Sequence, residues 1–212
     1  MRERLVKSFH FVVRNAARVA RVMHPLYTPL AATPLFIVGA ARSGNTLLRR
    51  MLMAASPIHI PPEMGFMFEA IECYRERRYY RWPALVRRTM KWFAHNEQFA
   101  DMLPRLIAVE AALIALPRER RSLSSIVDAV YRDDAARLGR AVTHWGDKTP
   151  RNARHMDKIA SAFEAVKFVH LIRDGADVVH SIMAKDGLRD FRGPARRWIE
   201  PVTAARAYTR AH

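Results

Sequence analysis

Phe36-Ile-Val-Gly-Ala-Ala-Arg-Ser-Gly-Asn-Thr-Leu-Leu-Arg-Arg-Met-Leu52 decides the fold class of this 212-residue chain. It opens in an apolar, β-branched run, Leu35 to Val38, of the kind buried on both faces of a parallel sheet. Small residues follow, Gly39-Ala-Ala-Arg-Ser-Gly44, and then Leu47, Leu48, Met51 and Leu52 recur at helical spacing. Asn45 and Thr46 are suited to the helix start. Strand, glycine loop and helix in that order aim unpaired N–H groups and the positive helix end at an anion. The expected class is α/β, a P-loop-like three-layer fold with a central parallel sheet.

Gly39-x4-Gly44-Asn45-Thr46 is the Walker A pattern with Asn where the lysine belongs. That lysine reaches the β- and γ-phosphates of a nucleoside triphosphate, so its absence argues against an ATP or GTP hydrolase. The cation has moved inside the loop, to Arg42. One guanidinium and a row of N–H groups suit a single phosphate bearing one further charged group.

Composition sets outer bounds. Half the residues are apolar and 26% charged, ordinary for one globular domain of this length. The balance of charge is not ordinary: 36 Lys and Arg against 20 Asp and Glu give +16, a field that favours anionic partners. Cys73 stands alone, so an intrachain disulfide is excluded. With one cysteine and scattered histidines, including His155 and His170, no metal site is expected.

Residues 4–23 form a basic amphipathic helix. Leu5, Phe9, Val12, Val13, Ala16 and Val19 share one face, and Lys7, Arg14, Arg18 and Arg21 fall largely on the other. Three settings fit it: peripheral contact with an anionic membrane, an organelle presequence, or packing on the domain. Val22 to Ala41 lacks formal charge, but Pro25, Pro29 and Pro34 exclude a transmembrane span. The segment 1–33 is thus read as helix plus proline-marked linker, and 34–212 as the α/β domain.

Pro57, Pro61 and Pro62 forbid helix around Ile58 to Ile60, which reads as a short extended piece. Glu63 then opens the next helix, through Phe66, Phe68, Ile71 and Tyr74. Residues 72–140 read as a long helical insertion, with helices at 82–99, 104–116 and 123–138, the last capped by Ser122 or Ser124. A basic cluster, Arg75, Arg77, Arg78, Arg81, Arg87, Arg88 and Lys91, opens it. The interleaved Tyr74, Tyr79, Tyr80 and Trp82 read as core, so nucleic acid is disfavoured as a partner. Val142 to Pro150 is a strand and turn, Arg151 to Ala162 a helix, and Ala165 to Ile172 the second strong strand. Asp174 caps the helix behind it, whose buried face is Val178, Val179, Ile182 and Met183. A last helix spans about 194–210.

Three segments now carry a resemblance. Phe36 to Leu48, Gly146-Asp-Lys-Thr-Pro150 and Phe168 to Met183 occur in the order found in sulfotransferases that use 3′-phosphoadenosine-5′-phosphosulfate (PAPS). The chain resembles the bacterial sulfotransferase-domain proteins and the protein-tyrosine sulfotransferase branch over residues 34–200. The resemblance implies that Arg42, Ser43, Gly44, Asn45, Thr46 and Leu47 surround the phosphosulfate, with the Asn45 amide able to donate where many relatives have Thr. It implies that Arg173 and Ser181 hold the 3′-phosphate; the competing reading of Arg173 is a purely structural salt bridge with Asp177. Lys148 would steady the leaving phosphate, with Arg42 sharing the charge and Asp147 orienting the lysine.

The histidine that follows Lys-Thr in cytosolic relatives is Pro150 here, so the implied base is Glu63, with His144 second. PAPS is the expected co-substrate, without metal. Phe66 replaces an arginine of the tyrosine-specific enzymes, which sets a carbohydrate, lipid or small hydroxylated molecule beside protein as the expected acceptor. Relatives continue past a helix like 194–210, so the chain is expected to be C-terminally short, with weakened activity. The other readings are a degenerate P-loop nucleotide kinase and a non-catalytic binding protein, either a truncated nucleotide-binding relative or a basic membrane- or nucleic-acid-associated module. The expected location is cytoplasmic, with or without membrane contact through residues 4–23.

Overall fold

A computed structural model describes residues 23–94 and 103–212. The proposed amphipathic helix lies outside the described residues except at its last position, as does the end of the helix expected at 82–99. Four parallel strands form the sheet: β1 (Leu35–Val38), β2 (Ile58–His59), β3 (His144–Lys148) and β4 (Lys167–His170), in the order β2-β3-β1-β4. The helices are α1 (Asn45–Ala55), α2 (Met67–Arg77), α3 (Trp82–Ala94), α4 (Leu103–Ile114), α5 (Leu123–Arg137), α6 (Met156–Ala160), α7 (Gly175–Asp186) and α8 (Arg192–Ala211). Among the described residues no helix is long and apolar enough to cross a membrane.

The alternation of side chains along β1 separates two layers. Ile37 packs with Ile58 and Ile60 beneath Leu48 and Leu52 of α1. Phe36 and Val38 face the other way, into the large core built from Trp145 and the helices of the 67–137 segment. Phe36 has Trp145, Phe163 and Phe168 around it at ring distances of 5.8 to 6.2 Å. The three-layer α/β expectation holds, with the helical insertion forming most of one layer.

Register places the chemistry. Ile37 lies beside Lys148, and Val38 beside His170, so β1, β3 and β4 end at one level. Because all four strands are parallel, the loops after β1, β2, β3 and β4 emerge on the same edge, the edge where open α/β sheets bind ligands. Loops 39–44, 60–66, 149–150 and 171–174 therefore meet, although Arg42 and Arg173, for example, stand 131 positions apart in the chain.

Local signals were read well where a cap decides. Ser122 accepts from the N–H of Ser125, and Asp174 from that of Asp177, as N-caps of α5 and α7. Three expectations are corrected. Glu63 does not open a helix: α2 begins at Met67, and Glu63 sits in the loop after Pro62. Residues 151–162 split into a 3₁₀ turn, Pro150–Arg154, and the five-residue α6, because Asn152 is drawn down onto a buried carboxylate. Val179 and Met183 are only half-buried, so α7 fully buries just Val178 and Ile182, against Ala40 and Trp198.

The linker before β1 is stitched to the insertion. Tyr74 donates to the Pro25 carbonyl at 3.0 Å, and Thr28 meets Ser122 and Ser125 at 2.9 and 3.1 Å. Trp82, buried, donates to the Leu113 carbonyl at 2.7 Å. Of the aromatic residues that open the insertion, Tyr74 and Trp82 are core, as read; Tyr80 is half-buried against that core, and Tyr79 is half-buried with its ring edge-on to Tyr80.

Candidate active site

The loop after β1 leaves the sheet at Gly39, whose φ of 154° is open to glycine and strained for other residues. A Cβ there would lie 2.4 Å from the Leu171 carbonyl oxygen of the neighbouring strand end. Gly44, at φ 97°, is the N-cap of α1 and uses no side chain to cap it. Arg42 is the one non-glycine among the described residues with positive φ, at 68°, a conformation that stands out most at ligand-binding turns.

Asn45 corrects an expectation. Its amide does not reach out toward a ligand: Nδ2 donates to the Ala40 carbonyl at 2.9 Å and closes the loop on itself. Asn45 Oδ1 and Ser43 Oγ are buried without hydrogen-bond partners among the described residues. Leu47 turns to solvent, 65% exposed, and neither it nor Ser43 lines the cavity that the loop borders.

That cavity has a volume of about 520 Å³. Gly44, Asn45 and Thr46 form one wall, with Arg42 at its edge; Glu63, Lys148 and Pro150 form a second, and Arg173 and Ser181 a third. Sequence separation vanishes here. Arg42 Nε donates to Ser181 Oγ at 3.1 Å, and Arg173 Nη1 to the Arg42 carbonyl at 3.4 Å. Lys148 Nζ donates to Glu63 Oε1 at 2.6 Å. The lysine side chain is 5% exposed and the carboxylate 48%, so a nearly buried ammonium is held in place while its partner faces the mouth. Arg173 pairs with Asp177 at 3.1 Å across one helical turn.

Other expected residues fall elsewhere. His144 is at the opposite end of β3 from Lys148, roughly 13 Å away along the strand, exposed and bonded to Thr143 at 2.8 Å. Asp147 does not orient Lys148, because adjacent strand residues point to opposite faces. Fully buried, it accepts from Tyr131 at 2.5 Å and from Asn152 at 2.6 Å. Burial pushes its carboxyl above the ordinary carboxylate value, against the pull of hydrogen bonds from Tyr131, Thr149 and Asn152. Thr149 in turn accepts the N–H of Met64 at 3.1 Å, which ties the Glu63 loop to the end of β3. Asp147 thus braces the site from behind.

Phe66 lies against Phe93 in the core at 4.9 Å between rings, away from the cavity wall. The basic cluster of the insertion is engaged at the surface: Arg77 with Glu76, Arg75 with Glu72, Arg87 with Glu110, and Arg88 over the Tyr80 ring. None of it lines the cavity. Sequence reading missed two cations that do, Lys185 and Arg197. Lys185 carried a signal, since it stands one helical turn after Ser181; Arg197 carried none. Among the described residues no cluster of three or more His, Cys, Asp or Glu is placed to hold a metal.

Sheet, loops and cavity together define an α/β protein with a cationic ligand crevice at the carboxyl ends of its strands. Residues 34–212 match the model of the Sulfotransferase family, and the chain belongs to that family. Among solved structures it is similar to the sulfotransferase domain from the Synechococcus PCC 7002 olefin synthase, at 19% identity and a TM-score of 0.47 over 90% of this chain. It is also similar to the sulfotransferase domain from the curacin biosynthetic pathway, at 18% identity and a TM-score of 0.48 over 86% of this chain. The chain spans 64% of the length of each. No curated protein sequence matches it.

Proposed function

We propose that this protein transfers the sulfuryl group of PAPS to a hydroxyl or amine of a carbohydrate, lipid, small-molecule or protein acceptor. The observation that carries the reading is the 2.6 Å pair of Lys148 and Glu63 inside the same cavity as Arg42, Arg173 and Ser181. The donor set suits the co-substrate. Among the described residues the cavity wall carries five cations, Arg42, Lys148, Arg173, Lys185 and Arg197, against one carboxylate, Glu63.

Bound PAPS would supply the sulfuryl group and a phosphate as its leaving group. Gly44, Asn45 and Thr46 would offer the N–H groups at the start of α1 to the phosphosulfate, with Arg42 beside them. Arg173 and Ser181 would receive the 3′-phosphate. Glu63, at the open side of the cavity, would accept the proton of the acceptor hydroxyl as its oxygen bonds to sulfur. The bond between sulfur and the bridging oxygen breaks with its electron pair left on that oxygen. Lys148 meets this charge: an ammonium has three donors, so it can serve a phosphate oxygen while still holding Glu63. The positioning of Lys148 by burial means that little reorganisation accompanies the step.

Calorimetric titration with 3′,5′-adenosine bisphosphate tests the nucleotide half of this reading. Binding that weakens at least tenfold in Arg173→Ala supports it; no binding by the wild-type chain sinks it. For the chemical half, Glu63→Gln should reduce labelled-sulfate transfer at least a hundredfold, the scale of general-base catalysis, with nucleotide affinity within about twofold. Unimpaired turnover would move the base to another residue.

A further inference from the structure

Resting on the sulfonucleotide reading, one wall of the cavity has more positive charge than the two residues assigned to it. Near neutral pH a phosphate monoester is largely a dianion. Arg173 already shares its guanidinium with Asp177 at 3.1 Å, and Ser181 is a neutral hydroxyl accepting from Arg42. Those two groups alone meet a dianion poorly. Lys185 and Arg197 line the same cavity. Lys185 follows Ser181 by four residues on α7, so both side chains stand on one helical face. Among the described residues no carboxylate comes within ion-pair distance of Lys185, and its ammonium is exposed to the cavity.

Arg197 reaches the cavity from α8, and its position is pinned twice. Its Nη1 donates to Asp186 Oδ2 at 2.6 Å, next in sequence to Lys185. The following residue, Trp198, donates its indole N–H to the Arg173 carbonyl at 3.0 Å and packs against Gly175, where a Cβ would meet the ring at 3.3 Å. One residue of α8 therefore clamps the backbone of Arg173 while its neighbour aims a second guanidinium at the same space. The Asp186 carboxyl is held below its ordinary value first by the Arg197 hydrogen bond, with Lys185 and Arg42 adding to it. Arg42, Lys185 and Arg197, from the glycine loop, α7 and α8, line the same cavity.

We propose that Lys185 and Arg197 complete the 3′-phosphate subsite begun by Arg173 and Ser181, and that they set the preference for a 3′-phosphorylated nucleotide over a 5′-monophosphate. α8 then acts as a wall of the nucleotide site as well as a packing helix. Its contribution is specific to a ligand with a second phosphate.

The test compares 3′,5′-adenosine bisphosphate with adenosine 5′-monophosphate by calorimetry on the full chain. Lys185→Ala and Arg197→Ala should each weaken the bisphosphate about tenfold, the low end for a hydrogen bond to a charged group, while leaving the monophosphate within about twofold. The ratio of the two affinities then falls about tenfold. A ratio that stays at its wild-type value, whether both ligands weaken or neither does, overturns the proposal. Because Arg197→Ala also breaks the pair with Asp186, Asp186→Asn separates packing from binding: it breaks the pair and keeps both cations. Its bisphosphate affinity should equal or exceed that of the wild type, and a tenfold loss there would assign the Arg197 effect to packing and overturn its role. A wild-type chain that binds both nucleotides equally refutes the subsite alone; one that binds neither refutes the sulfonucleotide reading itself.

Discussion

Gly39→Ala should damage fold and ligand site together, by an amount set by how closely β1 approaches the end of β4. The new Cβ would fall 2.4 Å from the Leu171 carbonyl oxygen and 3.3 Å from Asn45 Oδ1. Contacts shorter than 3.0 Å are essentially never made by real Cβ atoms, so β1 and the end of β4 must separate by about 0.6 Å at the rung where Leu171 donates to Val38 at 2.9 Å. Overpacking of this kind costs about 1–3 kcal/mol. The φ of 154° adds roughly 1–3 kcal/mol for a residue with a side chain. A total of about 2–6 kcal/mol is a large part of the 5–15 kcal/mol typical of a whole domain. With a urea m-value near 3 kcal/mol/M the midpoint should fall by roughly 0.7–2 M.

Gly146→Ala is the comparison. Its Cβ would meet the Leu35 carbonyl oxygen at 2.6 Å, a clash between β1 and β3 that lies two residues short of Lys148 and away from the glycine loop. That variant should lose about 1–3 kcal/mol and, where still folded, bind 3′,5′-adenosine bisphosphate within about twofold of the wild type. Gly39→Ala should lose at least tenfold in affinity under the same folded conditions. Equal affinities in the two variants, or a wild-type urea midpoint for Gly39→Ala, would refute the claim that this close approach shapes the anion loop.

Removing the Tyr131 hydroxyl should leave a buried Asp147 oxygen unsatisfied and cost about 1.5–3 kcal/mol, read as a lower urea midpoint for Tyr131→Phe; an unchanged midpoint would mean that the 2.5 Å bond contributes nothing. Asp147→Asn should also change the pH profile of stability. The folded carboxyl titrates above its unfolded value, so wild-type stability declines as pH rises from about 4, and the variant should lack that decline. Three histidines give the opposite slope. Burial holds His24, His155 and His170 below the ordinary imidazole value, with arginines adding to the effect. The unfolded chain then binds protons more readily, and stability present above about pH 6.5 should be lost as pH falls through the folded values. Urea midpoints at pH 7.5 and 5.5 check this, and replacing all three with Gln should flatten the difference.

The chain by itself determined what depends on neighbours in sequence. A β-branched run made β1 legible, the glycine loop and the Leu spacing made α1 legible, and Ser122 and Asp174 announced two helix starts, because caps act within three residues. The order and charge of three short segments were enough to point to the family. The resemblance also named Arg42, Glu63, Lys148, Arg173 and Ser181, but tertiary structure alone decided how they meet. Lys148 meets Glu63 across 85 residues, Arg42 meets Ser181 across 139, and Arg197 enters the cavity with no local signal at all. Such meetings follow from parallel pairing, which sets strand ends level only once β3 and β4 have closed on either side of β1. The same closure turned Asp147 away from Lys148, kept Glu63 in a loop and folded the Asn45 amide back onto Ala40. Residue identity gave those side chains their chemistry, but the direction each faces is a property of the packed sheet, where a step of one residue reverses the face.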